Sequence, residues 1–511
     1  MNGWLLALVL IVAWILGLYA LYRYGKIKGP LSLYGPALML KTKRGLGTIK
    51  KLAKSKFWIY YGNFGVGLSL IIMVAVFLLV LWQAFLVTTI PPSEAPSPLK
   101  ALGIPGINPV IPLWYGILGL IVAIVIHEFS HGFLVVAQKL KLKSIGVLLF
   151  VIPIGAFVEP DEEQLMKTSK RRRMRVFAAG PTSNIILAAV IIVVIALLVG
   201  GITPKYNAFY VASNFEDNPN FNALPVGTVI LKINGTSINN IQDFINVNAP
   251  SPGKKVSVEI YNGKIENISV YSGVVVISAL KGYPAYDSGI RPGWIFYSIN
   301  GSVVKNEQEF FKILNKTRSG TPVHISMFKP PNRWMNVTVV LADKYAYFEK
   351  YAPQLNRPWY RGKGFLGINA GYLGIGLGDS KYLKNLIGNP YADVRNPYDF
   401  FRATMAYIAL PFMGLMPFPQ NLQHLFNTPF TGFWILVNSL YWIFWLNLML
   451  GMTNLLPAVP LDGGYVFRDF ITYLCEKLKL KNPKKMGDAI TTFFSFMVLI
   501  LIIWQFVGPR I

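Results

Sequence analysis

Long apolar runs separated by short polar stretches dominate the chain. Runs close to the roughly 20 residues a helix needs to cross a bilayer fall at 3–22, 64–90, 112–138, 176–200, 432–455 and 489–507. They predict six crossings. A further apolar piece, "ATMAYIALPFMGLMPF" at 403–418, is short and broken by Pro411 and Pro417, with Pro419 just beyond. It reads as an interfacial or re-entrant segment.

From 203 to 342 the pattern changes to short alternating strands of ordinary polarity, rich in Gly and Asn, with an internal repeat. "PVGTVILKINGTSINNIQDF" (225–244) aligns without gaps to "RPGWIFYSINGSVVKNEQEF" (291–310). Gly227 matches Gly293, the "ING" of 233–235 matches that of 299–301, and Phe244 matches Phe310. The Asn-Gly pairs suit tight hairpins that require positive φ. Two small α+β domains in tandem are expected, at 203–275 and 276–342. On "GYPAYDSGIRPGWIFYSINGSVV" (282–304) they resemble PDZ domains; the alternative is that they only space or cap the membrane part. "KGFLGI" at 363–368 looks like a PDZ carboxylate-binding loop, but it follows the second repeat. Five N-x-[ST] sequons, at Asn234, Asn267, Asn300, Asn315 and Asn336, fall in this region, as an exterior location would allow.

The fold class expected is a multi-pass α-helical membrane protein. It has about six spans, a re-entrant or interfacial segment, and two PDZ-like exterior domains. Residues 1–111 hold anchor spans and a basic loop, and 112–202 hold core helices. An exterior linker with the interfacial segment covers 343–431, and the C-terminal core spans cover 432–511. Composition agrees: of 511 residues, 53% are hydrophobic and 14% charged, against about a quarter charged in soluble domains. The net charge of +26 raises nucleic-acid binding, but its distribution argues against it. Ten Lys or Arg and no acid lie between Tyr22 and Trp58, and "KRRRMR" at 170–175 abuts another apolar run. Basic residues flanking spans follow the positive-inside bias and face anionic headgroups. Loops 23–58, 139–175 and 466–488 are then cytoplasmic, and loops 91–110 and 203–400 and both termini are outside. Cys475 is the single cysteine, so no intrachain disulfide supports the exterior domains. The apolar N-terminus lacks a basic residue before its run, so it reads as a retained anchor rather than a cleaved signal.

One apolar run is interrupted. "IVIHEFSHGF" (124–133) carries two histidines and a glutamate. Four apart on a helix, His127 and His131 share a face and can reach one tetrahedral Zn²⁺. Glu128, on the same turn, reaches water rather than the metal. A charge inside a span costs about 3 kcal/mol on insertion scales, and a metal in a wet pocket offsets that cost. A chance H-E-x-x-H is the alternative, although the chain has only four histidines. A catalytic zinc takes three protein ligands. Asp462, in "NLLPAVPLDGG" (454–464), is the candidate third. Pro457 and Pro460 exclude regular helix there, while Gly463 and Gly464 permit close backbone approach. A plain turn at a helix end is the competing reading of Asp-Gly-Gly.

With these motifs together, the chain resembles the site-2 protease family of intramembrane zinc metalloproteases over about 112–200 and 432–507. "HEFSH" resembles its zinc helix and "NLLPAVPLDGG" its second motif. "GPTSN" (180–184) is similar to a Gly-Pro-x-x-Asn element, and "GVLLFVIPIGAFVEPDEE" (146–163) to a membrane-embedded hairpin. The resemblance implies a metalloendopeptidase acting on membrane-anchored protein substrates. Zn²⁺ is held by His127, His131 and Asp462, with Glu128 as general base. It also implies substrate contacts at Asn454, Asn184 and Gly155, the last in a hairpin whose strand pairs with the unwound substrate. A catalytically silent scaffold that binds partner tails, a metal transporter and a prenyl-protein-processing zinc protease are the competing readings. Neither substrate identity nor oligomeric state is legible.

Overall fold

A computed structural model of the chain describes residues 3–89, 103–150 and 152–510, together with 95, 97 and 99. Most of the loop expected at 91–110 up to residue 102 therefore lies outside the described residues. The chain forms two compact units. One comprises residues 1–197, 408–417 and 435–511, and the other residues 198–407 and 418–434.

The first unit is built on helices α1 (Gly3–Arg23), α2 (Phe57–Leu86), α3 (Leu113–Ala137), α4 (Lys170–Gly200), α5 (Phe433–Asn454), α6 (Asp462–Lys477) and α7 (Pro483–Val507). Among the described residues five helices are long and apolar enough to cross a membrane: α2 to α5, and α7. The sixth expected crossing falls on α1, a helix of 21 residues. Outward-facing apolar side chains such as Ile71, Phe85, Leu197 and Ile500 are exposed, which suits lipid and not water. The helix at Pro397–Ala409 has 13 residues, about 20 Å at 1.5 Å per residue. It ends before Pro411.

A four-stranded antiparallel sheet belongs to the same unit. Its strands are β1 (Leu31–Tyr34), β2 (Ala37–Thr42), β3 (Leu142–Phe150) and β4 (Ile152–Pro160), in the order β1-β2-β3-β4. The basic stretch 23–58 thus holds a hairpin that pairs with β3 from Leu38↔Leu149 to Thr42↔Ile145. The expected hairpin, β3–β4, carries a register shift between Leu148↔Gly155 and Leu149↔Pro153. That bulge bends the strand. Beneath the sheet, Leu46, Ile49, Leu134, Val135, Leu142, Leu165, Val176 and Ala179 form one buried cluster, which fixes the hairpin against α3 and α4.

The second unit holds two five-stranded paths of like topology. In the first, β5 (Phe209–Ser213), β6 (Val229–Ile233), β7 (Lys255–Tyr261) and β8 (Ile265–Tyr271) are joined by a distant strand, β14 (Gly376–Asp379), in the order β8-β7-β6-β5-β14. The second contains β9 (Val274–Ala279), β10 (Ile295–Ile299), β11 (Pro322–Lys329), β12 (Arg333–Val340) and β13 (Ile368–Tyr372), in the order β12-β11-β10-β9-β13. Both Asn-Gly pairs take left-handed φ, with Asn234 at 51° and Asn300 at 46°, as the sequence predicts. The segment expected as a linker from residue 343 differs. Its stretch 364–379 closes both sheets, the second domain first, so the second domain is an insertion within the first. Leu373 N–H donates to Gly273 O at 3.0 Å where the insertion begins and ends. All five sequon asparagines are exposed.

Candidate metal centre

Two helices of the first unit, α3 and α6, bring His127, His131 and Asp462 together, the one group among the described residues with three ligand atoms mutually close, within 4.8 Å. His127 and His131 sit one turn apart on α3, with ring centroids at 4.8 Å. Asp462 opens α6. The chain leaves α5 at Asn454, crosses a non-helical stretch with Pro457 and Pro460, and enters α6 through extended Leu461 (φ −69°, ψ 154°). A Cβ on Gly463 would lie 2.5 Å from Leu455 C, and one on Gly464 2.5 Å from Ala458 C. Only glycine lets the new helix press against the backbone just left behind. That contact points Asp462 at α3.

Asp462 Oδ2 lies 3.0 Å from His127 Nε2 and 3.3 Å from His131 Nε2. Ligand atoms about 2.1 Å from a tetrahedral zinc stand about 3.4 Å from one another. Both Asp462 distances are close to that spacing, and two imidazoles with a carboxylate are a donor set that would hold Zn²⁺ and leave one position open.

A single stripe of α4 supports this arrangement. Val176, Gly180 and Asn184 are spaced four apart and so share a face. Val176 O accepts from His131 Nδ1 at 2.8 Å, which turns Nε2 of that ring toward Asp462. A Cβ on Gly180 would stand 2.5 Å from His131 Nε2 and 2.7 Å from His127 Nε2, inside the space that a metal needs. Asn184, fully buried, places Nδ2 3.4 Å from His127 Nδ1. Further along, Arg173 grips Asp469 with two hydrogen bonds of 2.8 and 2.7 Å and also binds the carbonyls of Met166 and Thr168. Asp469 is two turns after Asp462 on α6, so this buried pair sets how α6 docks.

Glu128 leaves α3 toward the hairpin, where its Oε2 accepts from Val158 N at 3.1 Å. β4 is the terminal strand of its sheet, and this N–H therefore points off the free edge. Residues 115–501 match the profile of peptidase family M50.

The chain belongs to that family, the site-2 protease family.

M50 peptidases are membrane metalloproteases and generally zinc-dependent. The chain is similar to an uncharacterized protein of Methanocaldococcus jannaschii, 32% identical over 507 residues, which cover 98% of this chain and 95% of that protein. The PDZ domain of an SdrC-like protein from Listeria monocytogenes aligns at 22% identity over 22% of this chain and 95% of that domain, with a TM-score of 0.14.

The other M50 positions expected to touch substrate lie as follows. Asn454, at the end of α5, is half-buried and donates to Leu450 O at 3.1 Å. Among the described residues it makes no hydrogen bond to His127, His131 or Asp462. Gly155 lies on β4, where a Cβ would meet only Leu148 Cβ at 3.8 Å; the bend there comes from the bulge. Asn184 is fully buried and faces a histidine. Sequence reasoning quoted Gly180 within the 180–184 element but gave it no role, and missed Val176 and the Arg173–Asp469 pair. The spacing of 176, 180 and 184 was a usable signal for Val176 and Gly180. Arg173 was hidden in a run read as lipid-facing. In that run Lys170 also binds exposed Glu476 at 2.6 Å and Arg175 binds the amide of Asn63 at 2.8 Å, so these residues have partners on other helices of the protein.

Proposed function

We propose that the chain is a zinc endopeptidase that cuts membrane-anchored proteins in or next to their transmembrane segments, as in regulated intramembrane proteolysis. The observation that carries this is the His127–His131–Asp462 trio, whose two histidines share with Glu128 a helix long enough to span a bilayer. His127, His131 and Asp462 would hold the zinc, which would polarise a water and the scissile carbonyl. Glu128 takes a proton from the attacking water and returns it to the departing nitrogen. Asn454 supplies a side-chain donor toward the developing oxyanion.

A transmembrane helix satisfies its peptide groups internally, so the substrate unwinds before cleavage. The opened segment lies along the free edge of β4 between Gly155 and Val158, adding a strand to the sheet. The terminal position of β4 and the proximity of Glu128 to it support this placement. The two sheet domains are PDZ-like modules outside the cell that screen or recruit substrates, and the zinc lies toward the cytoplasmic side.

The test is reconstitution with a membrane-anchored substrate. Cleavage should appear, vanish with a chelator and return with zinc. Zinc retention without cleavage of any membrane-anchored substrate would instead make the chain a silent scaffold. Tags in 23–58 and 466–488 should be cytoplasmic, and one in 203–400 exterior; labelling of 466–488 from outside reverses the sidedness.

A further inference from the structure

We propose that Asn184 is a positioning residue for the metal, its side-chain carbonyl accepting the Nδ1–H of His127 and so holding that ring in its metal-binding tautomer. The inference rests on the reading that His127, His131 and Asp462 hold zinc.

A histidine that binds metal through Nε2 carries its proton on Nδ1, and that N–H requires an acceptor. For His131 the acceptor is Val176 O, a backbone carbonyl that can only accept. For His127 the group opposite Nδ1 is the Asn184 amide, and here orientation matters. With Nδ2 3.4 Å from Nδ1, two donors would face each other in the metal-bound tautomer. Asn184 Oδ1, meanwhile, is buried without a partner. The two amide ends are interchangeable in shape. Turning the amide half a revolution pairs Oδ1 with Nδ1–H. Either orientation leaves one amide atom unpaired, so the imidazole tautomer decides which. Zinc selects the carbonyl.

Asn184 is fully buried. A Cβ on Gly451 of α5 would stand 2.8 Å from Ile185 Cγ1 and 3.1 Å from Pro181 O, so that glycine lets α5 close against this turn of α4. The two histidines are therefore supported unequally, one by main chain and one by a single replaceable side chain.

The test compares Asn184→Leu, Asn184→Ala and Asn184→Asp in the full-length purified protein, by chelator competition with Zn²⁺ and by the absorption bands of Co²⁺. Leu and Ala remove the acceptor, Ala without added bulk should Leu impair folding. Zinc affinity should fall about 10–100-fold in both, the usual cost of losing such a partner, with altered cobalt bands. Asp retains the acceptor and should keep affinity and spectrum near wild type. Wild-type affinity in the Ala variant overturns the inference, and so does an Asp variant as weak as Ala. His127→Ala separates the two readings. If it binds zinc like wild type, the ligand assignment fails; if it loses zinc while Asn184→Ala does not, only the role of Asn184 fails.

Discussion

In the helical unit, three helices meet at His127, His131 and Asp462 through polar contacts of 2.8–3.4 Å. In the other unit, each sheet closes over a cluster of buried apolar side chains, among them Val258, Ile260 and Tyr372 in the first domain and Phe296, Ile325 and Met327 in the second. Apolar packing is non-directional and spread over many contacts, so no single atom decides the outcome. A metal site depends on a few atoms in fixed directions. Small substitutions should therefore abolish chemistry in the first unit without unfolding it, whereas the second should tolerate removal of a whole domain if the cut respects its strands.

Glu128→Gln tests the chemical side most severely. Hydrolysis should fall by about 10²–10⁴-fold, the usual contribution of a general base, while bound zinc measured by elemental analysis stays stoichiometric. Residual turnover near wild type would remove Glu128 from that role. Gly180→Ala inserts one methyl between the ring nitrogens. Zinc affinity should drop by at least about 10-fold and cleavage should follow, with the helical content unchanged by circular dichroism. Normal zinc loading would show that the metal sits elsewhere.

Arg173→Met reaches from chemistry into folding. It strands the Asp469 carboxylate, 2% exposed, and breaking a buried pair from one side costs about 3–5 kcal/mol. Thermal unfolding should show that loss, and the double variant Arg173→Met with Asp469→Leu should recover much of it. An undamaged single variant would mean that α6 docks by apolar contacts alone. The mildest change expected is excision of 274–371 with a short glycine linker from Gly273 to Tyr372. The first domain keeps β14 and the Tyr372 ring in its core, so it should stay folded by limited proteolysis. Cleavage of a short-stub substrate should persist, and cleavage of one with a bulky folded ectodomain should rise if the second domain screens by size. Equal loss of both would make that domain a recruiter or a support.

The zinc trio was legible because its information is local. Four-residue spacing puts both histidines on one helix face, and Pro457, Pro460 and the Gly463–Gly464 pair announce a break and a close approach around Asp462. The Asn-Gly hairpins were legible for the same reason. β13 and β14 were not, because a strand of four or five residues draws its stability from partners about a hundred residues or more away, and nothing within 364–379 names them. β1 and β2 were obscured by the lysines around them, which invited a purely electrostatic reading. Arg173 illustrates the general difficulty: a charge that faces lipid headgroups and one that pairs inside the protein look alike until the partner helix is in place.

The return of 364–379 through both sheets also sets a schedule for the chain as it leaves the ribosome. Domains usually fold as units in order of synthesis, but here the first to begin is the last to finish. β5 to β8 emerge early and lack an edge until β14 is made, more than a hundred residues later. The intervening domain gains its final strand, β13, a few residues sooner. A nascent chain stalled after 372 should therefore hold a protease-resistant second domain flanked by an open first one, and only release past 379 should protect both. During that interval the uncovered edge of β5 is a natural place for a chaperone, or a wrong neighbour, to bind.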